Sequence, residues 1–262
     1  MGTATETFDA SDSTPLGLPP TPGSGSPALS AVYILRDREQ LFERIRRGED
    51  LRQMILQGAV VAAIGAAIFG VALGIYAQTF GQITASGLKL PILLLGTALL
   101  CFPVFHLLQS GRARHPLGLE ASVALQTTAL AATAVVWGSL APAVIFLVSS
   151  TQHYRLCQFL AVGVGAAGGV VGLGTLLAGY RTLCEGRARE PEEDRRGLLR
   201  RAWNLDRPLA AYFFLFGCVG GQLAWVLRPF IGSPTLPFQI FRAADPEAGN
   251  FFLMLLRMLG WA

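Results

Sequence analysis

The chain alternates between long apolar runs and short polar loops, and the runs are of membrane-crossing length. Met54 to Gln78 carries no charge, and neither does Leu90 to Gln109. A third run opens at Ala121 and meets no charge until Arg155. Leu156 to Tyr180 and Leu209 to Leu227 complete the set. A bilayer core about 30 Å thick needs roughly 20 apolar residues to cross it as a helix. The pattern predicts five spans, at about 54–78, 90–109, 119–149, 156–180 and 209–228. The third run is long for one upright helix and short for two, with a potential turn at Gly138 to Pro142.

Charge decides between those two readings and predicts an orientation. Lysine and arginine favour the cytoplasmic side of short loops. With one long third span, sixteen of the 21 basic residues fall on one side, within 36–52, 112–114 and 181–207. The other side holds Lys89, Arg155, Arg228, Arg242 and Arg257. The expected fold class is therefore all-α, an integral membrane bundle of five transmembrane helices. Its N-terminus is expected to be cytoplasmic and its C-terminus periplasmic, in a bacterial inner membrane. The formal charge of +4 then reflects topology, and no nucleic-acid partner is expected. No signal peptide is predicted, since some fifty polar or mixed residues precede the first apolar run.

The flanking segments differ in kind. Residues 1–30 are rich in Ser, Thr, Gly and Pro and are expected to form a disordered tail. In residues 31–53, Ile34, Leu41, Phe42 and Ile45 recur at helical spacing between charges, which predicts an amphipathic juxtamembrane helix with a break at Gly48. Acids nearly balance its arginines, which argues against an anchor for anionic lipid. The loop 181–207 is polar, with a short surface helix expected after Glu190 to Asp194. Residues 229–262 carry Pro229, Pro234, Pro237 and Pro246, so a proline-rich periplasmic segment ending in an interfacial helix is expected.

The four cysteines form no Cys/His cluster, and neither a metal nor a cofactor is expected. No nucleophile-and-base order or phosphate-binding loop appears outside the spans, so the chain is read as a non-enzyme. Glycines four apart recur at Gly70/Gly74, Gly165/Gly169, Gly168/Gly172 and Gly217/Gly221, which suits close helix packing, within the bundle or between copies. His106 and Glu120 lie near the cytoplasmic ends of the second and third spans, where a structural pair across the loop is expected and a proton relay is the alternative. Gln126, Thr127, Thr128, Thr133 and Ser139, with Gln222 of the last span, are candidates for a polar seam, and helix–helix hydrogen bonds explain them as well as a solute path does. The densest segment is Trp225 to Pro234. Trp225 fits an interface belt, Arg228 ends a span against the charge rule, Pro229 stops the helix, Phe230 comes next, and Gly232 permits a tight turn. Helix capping is the expected role of Arg228, with a lipid phosphate or a ligand anion as alternatives.

Two resemblances rest on these residues. Leu41 to Arg52 resembles an actin-binding WH2 motif, with Leu41, Phe42 and Ile45 as its helix face and Leu51-Arg52 as the start of its basic tail; Gln53-Met54 departs from that pattern. Residues 32–261, with the Trp225 to Pro234 motif, then Pro237-Phe238 and Phe241-Arg242, resemble a family of bacterial multi-pass inner-membrane proteins of unassigned activity. The five-span layout is also similar to Yip1-type proteins. These resemblances imply location and topology and carry no reaction. The expected role is a membrane subunit or scaffold whose partners are the lipid bilayer and a membrane protein or a second copy. A small-solute or ion permease is the alternative.

Overall fold

A computed structural model describes residues 38–112, 116–150, 153–184 and 207–232. Among these there is no strand, and six helices succeed one another: α1 Arg38–Arg47, α2 Leu51–Gly74, α3 Phe80–Arg112, α4 Leu119–Ser150, α5 Tyr154–Cys184 and α6 Arg207–Leu227. A 3-10 turn, Ile75–Ala77, extends α2. The helices α2 to α6 are long and apolar enough to cross a membrane, and the chain has the all-α architecture of a multi-pass membrane protein. The expected N-terminal tail, the surface helix after Glu190 and the C-terminal interfacial helix lie outside the described residues.

The third run forms one helix. α4 continues from Leu119 to Ser150 through Pro142. A proline inside a helix frees a carbonyl, which neighbouring helices in a membrane can accommodate. α3 contains Pro91 and Pro103 and likewise continues past both.

The second span departs from expectation. It begins at Phe80, ten residues before the predicted start, so Lys89 lies inside a helix rather than in a loop. Lys89 is 4% exposed, and its ammonium donates to the Pro229 carbonyl at 3.2 Å. A charge broke the apolar run in the sequence, but a backbone acceptor from a distant segment lets the helix carry it.

Small residues set the helix spacing. α2 packs against both α3 and α4, and its interface with α4 is the most extensive in the bundle. A methyl group added at Gly65 would run into the carbonyl of Ala134, and one at Gly70 into that of Ser86. At Gly74 it would lie 2.8 Å from the Cα of Ile83. Lipid gives helices no hydrophobic reason to associate, so backbone-to-backbone approach supplies the attraction. Gly168 and Gly172 of α5 instead make room for side chains of α4, those of Trp137 and Thr133. A β-carbon added at Gly165, Gly169 or Gly217 would meet nothing within 4 Å. α5 is seated on α4 and α6 on α3, and these two outer helices share no substantial interface.

α1 is amphipathic and ends where expected. Gly48 takes φ +72°, Gly48 N–H donates to the Ile45 carbonyl and Glu49 N–H to that of Arg44, which together form a Schellman stop. Asp50, also left-handed at φ 50°, then turns the chain into α2. Phe42 and Ile45 are 4% and 2% exposed and pack against α4 and α5. On the polar face Glu43 accepts from Arg46 at 2.7 Å and Arg47 at 2.9 Å. The hydrogen bond from Arg46, then that from Arg47, holds its carboxyl below the usual range.

Overpacking a close helix contact costs about 1–3 kcal/mol. Gly65→Val should therefore lower the thermal midpoint of the detergent-purified protein or abolish its folded yield. Gly163→Val, where nothing lies within 4 Å of the new carbon, should leave both unchanged.

Candidate functional site

Three polar constellations interrupt the apolar interior. The first lies at the end of the bundle away from the arginine-rich loops. Gln82, Ser86 and Lys89 are spaced four and three residues apart on α3, which places them on one helix face. All three are at most 4% exposed. They meet the chain leaving α6. Pro229 cannot continue that helix, and the Arg228–Pro229 peptide is cis. Gln82 Nε2 lies 3.1 Å from the Pro229 carbonyl, 3.2 Å from that of Phe230 and 3.0 Å from Ser86 Oγ. A primary amide has two N–H groups, so at most two of these acceptors are served at once. Ser86 Oγ donates to the Phe230 carbonyl, and Lys89 adds a donor to Pro229.

The turn is also packed. Ile231 is 7% exposed in the cluster formed by α2, α3 and α4, and Phe230 lies against it. Gly232 has φ +73°, and a β-carbon there would come within 2.8 Å of Ala77 Cβ and Gln82 Cγ. Glycine is required at this position for both conformation and space. Pro229, Phe230 and Gly232 thus belong to one anchored turn, and Trp225 lies in the last turn of α6 before it. Arg228 corrects the expectation. Its guanidinium does not cap α6; it lies over the Trp225 indole, 3.7 Å from the ring centroid. Gln82, Ser86 and Lys89 provide the donors for the carbonyls beyond the helix end.

The second constellation closes the opposite end. Gln109, fully buried, accepts from Leu117 N–H at 2.9 Å, which fixes which side of its amide is oxygen. Its Nε2 lies 3.0 Å from the Leu117 carbonyl, 2.7 Å from Ser122 Oγ and 3.0 Å from His106 Nδ1. The expected His106–Glu120 pair does not form. His106 is held by Gln109 and Ser122 and stacks on Phe102, whereas Glu120 turns outward to Arg52 at 3.4 Å. Glu120 opens α4 and Arg52 stands one residue into α2, so their side chains meet in water at the arginine-rich end.

The third constellation lies deeper. Gln126 of α4 donates to the Ala98 carbonyl of α3 at 2.9 Å. Its Oε1 and the hydroxyl of Tyr212 are buried without a hydrogen-bond partner. Tyr212 and Cys101 pack in the same buried cluster between α3, α4 and α6. The expected polar seam is not formed. Thr127, Thr128, Thr133 and Ser139 return their hydroxyls to carbonyls of their own helix. Gln222 is half-buried on α6, and no hydrogen bond joins it to α4 among the described residues.

The residues missed from sequence are Gln82, Ser86, Gln109, Ser122 and Tyr212, together with the burial of Lys89. A usable signal existed in the four-and-three spacing of Gln82, Ser86 and Lys89 just ahead of an apolar run. No group of three or more His, Cys, Asp or Glu side chains stands ready for a metal among the described residues. The chain matches no protein-family model, no curated protein and no solved structure.

An unsatisfied buried polar group costs about 1–3 kcal/mol, whereas an exposed ion pair contributes about 0–1 kcal/mol. Gln109→Leu should destabilise the protein clearly and Glu120→Gln hardly at all, as read from thermal unfolding in detergent. Gln82→Leu should loosen the turn, so hydrogen exchange at Ile231 and Gly232 should quicken while α2 keeps its protection.

Proposed function

We propose that this chain is a non-enzymatic subunit or scaffold of a bacterial inner membrane, with its arginine-rich end in the cytoplasm. One observation carries the reading. About half of the first span's most apolar window is buried, against 22% for α5 and 17% for α6. α5 presents Gly163, Ala166, Ala167 and Gly174 on its exposed side, with open space at both glycines. Small side chains on an open helix face let a second helix approach to backbone distance. The partner is then a transmembrane helix of another membrane protein or of a second copy.

The alternative of a small-solute or ion permease draws on the unspent polar groups of Gln126 and Tyr212 between α3, α4 and α6. An actin-binding role for the WH2-like segment would require Phe42 and Ile45 to leave their seats on α4 and α5.

Purification from native membranes in mild detergent tests the subunit reading. A stoichiometric partner, or a defined oligomer, should accompany the wild-type chain. Replacing Gly163 and Gly174 together by leucine should remove it without changing thermal stability. A partner-free, monodisperse protein that moves a solute across liposomes would overturn the proposal in favour of the permease.

A further inference from the structure

Beside the anchored turn beyond α6, one strong cation has no acidic or hydrogen-bonding partner among the described residues. α6 has 21 residues. At 1.5 Å per residue it is about as long as the hydrocarbon core is thick, so Trp225 and Arg228 come at headgroup level. The guanidinium of Arg228 carries five N–H donors in a fixed fork. One face rests on the Trp225 ring. No hydrogen bond or ion pair ties those donors to a described residue, and the only acid on the described spans is Glu120, at the other end of the bundle. The backbone beneath it is held, because Gln82 and Lys89 grip the carbonyl of the very next residue. Arg228 is thus pre-positioned on an aromatic platform, with its hydrogen-bonding edge uncommitted among the described residues.

We propose that Arg228, braced by Trp225 and by the Gln82–Lys89 grip on Pro229, binds a phosphoryl group at the arginine-poor membrane surface. The guanidinium fork matches two phosphate oxygens, which a lone ammonium does not. The indole holds the plane of the fork and contributes attraction of its own. The phosphoryl can belong to a phospholipid headgroup or to a free phosphate. This inference rests on the membrane reading and is independent of the helix partner proposed above.

Native mass spectrometry of the full chain in detergent tests it, with phosphatidylglycerol, a phosphate-free galactosyl diacylglycerol and inorganic phosphate as the probes. Wild type should retain phosphatidylglycerol in preference to the galactolipid. Arg228→Gln should weaken that retention about tenfold, the effect of losing a charge-assisted contact. Competition by millimolar inorganic phosphate would assign the site to free phosphoryl groups, and its failure would assign it to the lipid headgroup; both support the site. Should Arg228→Gln not fold, Arg228→Lys keeps the charge and loses the fork, and it should lose retention severalfold. Equal retention of the two lipids by wild type, or unchanged phosphatidylglycerol retention in a folded Arg228 variant, would overturn the proposal. Neither outcome touches the test of the helix partner.

Discussion

A backbone carbonyl that loses its helical partner and is covered by the protein must find a donor within it, because an unpaired buried polar group is costly. The turn after α6 is built around that constraint. Pro229 ends the helix, and the carbonyls of Pro229 and Phe230 are taken by Gln82, Ser86 and Lys89. That demand explains why α3 starts a full ten residues before the apolar run that marks it in the sequence. It also explains how a lysine is tolerated at 4% exposure: its charge has a carbonyl to solvate it. At the other end Gln109 does the same work for the connection between α3 and α4, serving both the N–H and the carbonyl of Leu117.

Between these two polar closures, packing rests on small residues more than on large ones. α2 approaches α4 at Gly65 and α3 at Gly70 and Gly74, where a methyl group would meet main-chain atoms. Larger groups fill what remains: Phe69 against Trp137, and Phe105 against Tyr212. Trp137 also donates to the Gly165 carbonyl of α5 at 3.3 Å, so the ring that fills the interior ties in an outer helix. The hydroxyls of the third span satisfy themselves against their own helix. Those hydroxyls therefore cost little to bury, whereas Gln126 Oε1 on the same helix is left without a partner.

The spans could be read from the sequence because length and hydropathy are local properties, and α4 passing unbroken through Pro142 agrees with the arginine tally. Gly48 was legible for the same reason, since a glycine between a helix and an apolar run is a local stop signal. The packing register was only partly visible. Gly70/Gly74 and Gly168/Gly172 turn their open side into the bundle, whereas a β-carbon at Gly165 or Gly169 would meet open space. Spacing gives a face but not which neighbour covers it. The partners of Pro229 and Glu120 were not legible, because each is brought near by the tertiary fold: Gln82 is 147 positions from Pro229, and Arg52 is 68 from Glu120.

The seat of α1 has a mechanical side. The Phe42 ring occupies a socket that exists because residue 179 has no side chain; a β-carbon there would stand 2.9 Å from the ring edge. α1 is joined covalently to α2, two left-handed residues away, yet its apolar face is fitted to α4 and α5. The short helix therefore acts as a strut bridging the start of the chain to its fourth crossing, and a sideways displacement of α5 would swing α1 about Gly48 and Asp50 as a lever swings on its pivot.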